Sequence, residues 1–301
     1  MRARPSFADF GRPVTRKSWP DTKLRRSFDA AAADFDSVAS LPREIANRMI
    51  ERLSLVRLPV RTILDAGCGT GHGARLLKQR YPGALVVELD LSEQMLRQPE
   101  TRSILRWPWF GPSRRRRAVC ADFQQLPLDT ASIDLIWSNL ALHWAQDMAG
   151  VLAEAHRILR PGGLLMFSVF GPDTLEELRN ASQGGTFHVN VHADMHDVGD
   201  MLVNGGYADP VMDMENVTLT YADVHNLLRD LRAHGSISLT GDQRKGLGGR
   251  RDYLRVISRY EQFRLDDGRL PANYEVVYGH AWKPEPRVSP TGRPVFDIRS
   301  V

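Results

Sequence analysis

The chain has 301 residues, 42% of them apolar and 25% charged, and a formal net charge of +4. That length and apolar content can bury a full core as one large domain, and no apolar run approaches the ~18 residues needed to cross a bilayer. Two cysteines, Cys68 and Cys120, exclude a disulfide framework and suit small buried hydrophobes; with no apolar leader at the N-terminus, a cytoplasmic location is expected.

The charge is uneven. Residues 1–26 carry eight Lys or Arg against two Asp, and residues 101–117 carry six Arg and no acid. The rest of the chain is therefore net acidic, and two basic segments on an acidic body suit an anionic partner. Residues 1–26 are expected to be a flexible basic arm. An Ala-rich amphipathic helix follows over Phe28–Ser40, with Phe28 and Phe35 seven apart on one face. Leu41–Val56 predicts a second helix, with Pro42 in its first turn.

From Thr62 strands and helices alternate, which implies a parallel sheet. The run Thr62-Ile63-Leu64-Asp65-Ala66-Gly67-Cys68-Gly69-Thr70-Gly71 is a short strand entering a loop with glycine at every second position, before a helix from His72. Such a loop can lie flush against a ligand, and the helix behind it points free N–H groups the same way. Strand, glycine turn and helix form the entry to a nucleotide-type cofactor site. A carboxylate at the mouth, Asp65, would repel a pyrophosphate and attract a sulfonium bearing an α-amino group. Three later strands end in polar residues. Ala84–Leu89 stops at Asp90, Ala118–Ala121 at Asp122 followed by Phe123, and Ile133–Ser138 at Asn139. Asp90 lies at the distance where such folds hold ribose hydroxyls. Together these narrow the cofactor to S-adenosylmethionine.

The link from Arg97 to Ala118 holds three prolines and four consecutive arginines and is expected to loop out at the sheet edge. Its Arg106-Trp107-Pro108-Trp109-Phe110 interleaves aromatics with cations, as single-strand binders do. No groove-reading motif accompanies it, so a nucleic-acid partner is not expected. Strand five is predicted over Gly162–Phe170, then a helix capped by Asp173. A helix over Met195–Val203 is closed by Gly205-Gly206 and started late by Asp194. Strand six spans Pro210–Tyr221, a helical insert Ala222–Gly268, and the last strand Tyr274–Trp282. A domain over residues 27–283 is followed by a tail, 284–301, expected to be disordered. His188, His192 and His196 are spaced by four, as metal ligands on one helix face would be. Val189 and Val191 make their first half strand-like, and no metal site is expected.

In combination these motifs resemble the class I S-adenosylmethionine-dependent methyltransferases. The resemblance rests on Asp65–Gly71, Glu88-Leu89-Asp90-Leu91-Ser92 with Met95-Leu96, Ala121-Asp122 with Leu126-Pro127-Leu128, and Arg157–Gly163. It implies an α/β, Rossmann-like fold: a mostly parallel seven-stranded sheet with N-terminal helices and a helical insert before the last strand. It also implies cofactor contacts from Asp65, Gly67, Gly69, Gly71, Asp90, Leu91, Asp122, Phe123 and Asn139. A narrower resemblance, carried by Phe28–Ala32, Trp137–Trp144, Phe170–Arg179, His188–Asn190 and Asp194–Asp200, is to the malonyl-acyl-carrier-protein O-methyltransferases of biotin synthesis. It implies an acidic acyl carrier protein as partner. The stretch Gly268–Ala272 with Tyr274 and Tyr278 is similar also to the complex I assembly factor that hydroxylates an arginine, and a catalytically silent scaffold is a third reading.

A malonyl carboxylate is already an anion and needs no general base to attack a methyl group. The sequence accordingly shows no Ser-His-Asp, paired-carboxylate or HExxH arrangement. Arg179 is the expected fork for the carboxylate. His143 and Trp144 follow the fourth strand, where the acceptor should lie, and Phe28 and Phe35 would form a lid.

Overall fold

A computed structural model describes residues 22–98, 117–183, 190–233 and 247–286. Two helices and a short one between them open it: α1 (Thr22–Ala31), α2 (Phe35–Val38) and α3 (Ser40–Ser54). The core follows as β1 (Thr62–Ala66), α4 (His72–Arg80), β2 (Leu85–Asp90), α5 (Glu93–Arg97), β3 (Arg117–Cys120) and β4 (Ile133–Asn139). A 3-10 turn (Leu142–Trp144), α6 (Met148–Ile158), β5 (Leu159–Phe170), α7 (Glu176–Ser182), α8 (Met195–Asn204) and β6 (Ala208–Tyr221) come next. The chain then runs through α9 (Val224–Ala233), α10 (Leu247–Tyr260), a second 3-10 turn and β7 (Leu270–Trp282).

The seven strands form one sheet in the order β3-β2-β1-β4-β5-β7-β6. The first five are parallel, and β7 runs antiparallel between β5 and β6. Strands flanked by helices on both faces carry continuous apolar runs rather than alternation, and β1, β2, β4 and β5 do so. On one face α3 contributes Ile45, Met49 and Leu53, α4 Leu77, α7 Leu178, and α9 and α10 contribute Leu227, Leu228 and Tyr260. On the other, α6 and α8 contribute Leu152, Ile158, Val198 and Leu202. The strand order reverses between β1 and β4, which opens a crevice at their carboxyl ends.

Several boundaries depart from the sequence reading. The helix expected over Phe28–Ser40 is broken by a turn at Ala32–Asp34, and its first half reaches back to Thr22, so residues 22–26 of the expected arm are helical. The break lets Phe28 and Phe35 both pack on a small cluster of Ala31, Ala32 and Met95. Asp173 caps nothing. Its N–H donates to Glu275 Oε2 at 2.8 Å, and α7 begins at Glu176, after Leu175 in a left-handed turn with φ +55°. Asp194 does cap α8, accepting from His196 N–H at 2.7 Å. The insert lies between β6 and β7 as helices α9 and α10. Residues 1–21, most of the 97–118 link, His188 and the tail from 287 lie outside the described residues.

Candidate functional site

The glycine loop is tied to the end of β2. Gly67 and Cys68 N–H groups donate to Leu89 O at 2.7 and 2.9 Å, and Gly69 N–H donates to Asp90 Oδ2 at 2.9 Å. Gly67 has φ +76°, and a Cβ there would stand 2.2 Å from Ala141 Cβ and 3.0 Å from Phe123 Cζ. Only glycine allows the two loops to meet. Asp90 also accepts from Ser92 N–H at 2.8 Å, while Ser92 Oγ caps α5 through Met95 N–H at 3.1 Å. Backbone donors thus hold both Asp90 oxygens, which keep lone-pair capacity for others. Burial pushes the Asp90 carboxyl up to about 6, partly offset by its backbone hydrogen bonds.

These residues line one cleft of about 1180 Å³, counting its open mouth, somewhat above the ~300–1,000 Å³ typical of small-molecule sites. Gly67, Gly69, Asp90, Leu91, Asp122, Phe123, Asn139 and Trp144 all face it, with Phe28 and Phe35. Asp122 accepts from Gln124 N–H at 2.9 Å. Asn139 is locked by both ends of its amide, donating to Pro42 O and accepting from Ser168 Oγ, each at 2.9 Å.

Four predicted residues are placed elsewhere. Asp65 is 2% exposed and does not line the cleft. It lies under the first turn of α4, accepting from Ala74 N–H, where a Cβ at Gly73 would come within 3.0 Å of Asp65 Oδ2 and Trp137 Nε1. Burial, then the Glu88 and Asp90 charges, pushes the Asp65 carboxyl up to about 8. Asp65 is expected from the sequence to hold a cofactor ammonium directly or through water; it stands behind the loop, off the cleft lining. Gly71 starts α4 with φ +98° and does not line the cleft either. His143 and Arg179 do not line it either; the His143 ring packs on Trp144 and Phe170.

The lid is fastened at two points. Ser92 Oγ donates to Asp29 Oδ1 at 2.6 Å, and Thr70 Oγ1 donates to Asp36 Oδ1 at 2.7 Å. Phe28 meets Trp144 edge to face at 5.4 Å across the mouth. Phe170 and Tyr274 complete the wall opposite the glycine loop. The sequence reading missed both. Phe170 ends β5 at the same sheet edge as the predicted strand-end residues, a signal that was available. Tyr274 enters from an antiparallel strand, so its place follows only from the strand direction. Among the described residues no group of three His, Cys, Asp or Glu side chains could hold a metal ion, and His192 precedes α8 rather than sharing a helix face with His196. No helix among the described residues is long and apolar enough to cross a membrane.

Residues 64–167 match the methyltransferase-domain family. The curated malonyl-(acyl-carrier protein) O-methyltransferase of Laribacter hongkongensis is 50% identical over 273 residues, covering 88% of this chain and 90% of the relative. Its namesake from Gallionella capsiferriformans is 48% identical over 275 residues, covering 91% and 94%. Among solved structures, Haemonchus contortus phosphoethanolamine N-methyltransferase 2 in complex with S-adenosyl-L-methionine superposes with a TM-score of 0.53 at 15% identity, covering 88% of this chain and 61% of that one. At that identity the likeness concerns the fold.

Proposed function

The chain belongs to the malonyl-(acyl-carrier protein) O-methyltransferase family, and from that premise we propose how its cleft performs the reaction. The enzyme transfers a methyl group from S-adenosylmethionine to the free malonyl carboxylate of malonyl-acyl carrier protein. The product is the methyl ester from which pimeloyl synthesis for biotin starts. The observation that carries this reading is near-half identity to the curated relatives over about nine tenths of both chains. The arginine-hydroxylase and silent-scaffold readings have no comparable support.

The residues present fit the cosubstrate. The cleft bordered by Gly67, Gly69 and Phe123 and the remaining lone pairs of Asp90 suit a flat adenosine and its two ribose hydroxyls. Asp122 and Phe123 would hold the adenine and Asn139 the methionine end. Asp65 would act through the shape of the loop. S-adenosylmethionine supplies a methyl group activated by its sulfonium. The carboxylate oxygen attacks it in line, the new C–O bond forming as the methyl–sulfur bond breaks and its electron pair stays on sulfur. No proton moves, so no general base is required and no metal is called for. The protein's part is alignment, which can be worth ~7–11 kcal/mol, and exclusion of water by the lid.

The acceptor approaches past Trp144, Phe170 and Tyr274, and the basic segments around residues 1–26 and 101–117 attract the acidic carrier. A cytoplasmic enzyme with its methyltransferase domain over residues 27–283 accords with this. Incubation with methyl-labelled S-adenosylmethionine and malonyl-acyl carrier protein tests it. Label on the carrier that mild alkali releases is expected; cofactor binding without transfer would overturn the assignment.

A further inference from the structure

A side chamber of about 270 Å³, counting its open mouth, adjoins the cleft across its aromatic wall. Trp144, Phe170 and Tyr274 border both spaces, and Thr174, Leu175, Asn190 and His192 complete the chamber. One side is fixed to β7. Thr174 Oγ1 donates to Glu275 O at 3.1 Å, and Leu175 N–H donates to Asn273 O at 2.7 Å, with Leu175 left-handed at φ +55°. A leucine held in that region marks a built feature, since such strain gathers where a site requires it. Another side is the extended segment that leads into α8. Side chains alternate along it: Val191 is 74% exposed, while Asn190 and His192 line the chamber. The chamber therefore lies between the cleft and the surface.

Two polar groups in it are free to bond. Neither the Asn190 amide nor the His192 imidazole has a hydrogen-bond partner among the described residues. Burial, then the Arg179 charge, holds His192 at about 4. Its ring is thus neutral near pH 7 and offers one donor and one acceptor, as the Asn190 side chain also offers both kinds. An anion would leave the acceptors idle. A secondary amide, with one N–H and one C=O, uses donor and acceptor together.

The reaction decides what must stand next to the cleft. The malonyl carboxylate has to lie in the cleft, against the methyl donor. The thioester begins one methylene away, so all that follows it has to leave, and on the acceptor side the boundary is the aromatic wall.

We propose that the chamber is the subsite for the amide-bearing arm on which the carrier protein holds its acyl thioester, with Asn190 and His192 hydrogen-bonded to an amide of that arm while the carboxylate stays in the cleft. The proposal rests on the function given above and adds how the non-reacting part of the substrate is seated. Contacts of this kind, remote from the reacting atoms, hold the carboxylate in line and are felt in kcat/KM.

The test compares two small substrates, using methyl-labelled S-adenosylmethionine. Malonyl-pantetheine carries the amides of the arm, and the S-methyl thioester of malonate has none. The parent should favour malonyl-pantetheine in kcat/KM by about tenfold or more, the worth of one or two hydrogen bonds. In Asn190→Leu and His192→Leu that advantage should collapse towards one, with the Kd for S-adenosylmethionine level. His192→Gln, which keeps a donor and an acceptor, should retain part of it, a recovery that packing alone would not give. A parent without the advantage, or chamber variants that keep it in full, would overturn the subsite alone. So would its loss in Gln146→Leu, at the cleft lining, in place of the chamber variants. Absence of transfer from the parent to malonyl-acyl carrier protein would instead overturn the function, and the subsite with it. Should His192→Leu fail to fold, Asn190→Leu decides, because Asn190 lies outside any helix or strand.

Discussion

In the proposed reaction, cosubstrate binding turns on Asp90. Burial, outweighing its backbone hydrogen bonds, pushes the carboxyl up to about 6. Only the ionised form accepts from both ribose hydroxyls. Affinity for S-adenosylmethionine should therefore fall as pH drops below about 6, by up to about tenfold per unit, and calorimetric titration between pH 5 and 8 measures it. Asp90→Asn should lower affinity at neutral pH by tenfold or more and remove that dependence. Asp65 behaves differently. Its raised carboxyl, at about 8, means that the folded protein holds a proton the unfolded chain releases near its ordinary value of 3.8. Stability should then fall as pH rises between about 4 and 8, with a limiting slope of about 1.4 kcal/mol per unit. Asp65→Asn should flatten that slope in denaturant titrations, leaving the pH dependence of cofactor binding in place. The two acids looked alike in sequence, each at a strand end. What separated them was depth: Gly73 lets α4 close over Asp65, and no local pattern reports that closure.

Among the elements, the glycine loop and the broken N-terminal helix make opposite demands. Gly67→Ala places a methyl group 2.2 Å from Ala141 Cβ at a positive φ. It should cost at least ~1–2 kcal/mol of stability and abolish cofactor binding, as thermal melts with and without S-adenosylmethionine would reveal. The lid is held by a few polar contacts, so Asp36→Ala, which frees Thr70 and removes an exposed ion pair with Arg43, should cost only ~0.5–1.5 kcal/mol. Its effect should be faster cofactor release, seen by stopped flow, with little loss of fold. The loop was legible because its glycines and flanking strand are contiguous. The lid's two phenylalanines were legible as a face, but the turn at Ala32–Asp34 was not, since no proline or glycine marks it. Tertiary contact of Phe35 with the loop at Gly69 sets the break instead.

Across the whole molecule, charge and topology divide the labour. The basic segments at residues 1–26 and 101–117 stand apart from an otherwise acidic chain. The KM for the carrier should therefore rise as salt goes from about 0.05 to 0.5 M, where screening shortens to a few ångströms. The KM for S-adenosylmethionine should stay level, and removal of residues 1–21 should blunt the effect. The parallel half of the sheet was readable from its alternating strands and helices. The β6–β7 pairing was not, because β7 is separated from β6 by the insert and its direction has no local signature.

The position of β7 also sets an order of events during synthesis. It is the last strand to leave the ribosome, yet it lies between β5 and β6, and it carries Tyr274 into the acceptor wall. Residues 62–139 already hold the glycine loop, Asp90 and Asp122, and the hydrogen bonds that tie the loop to Leu89 and Asp90 span at most 22 residues and form early. A nascent chain can thus possess a pocket for the methyl donor before it has anywhere to seat the acceptor. Until residue 282 emerges, β6 has no strand beside it, and the edge of β5 stands open to another chain.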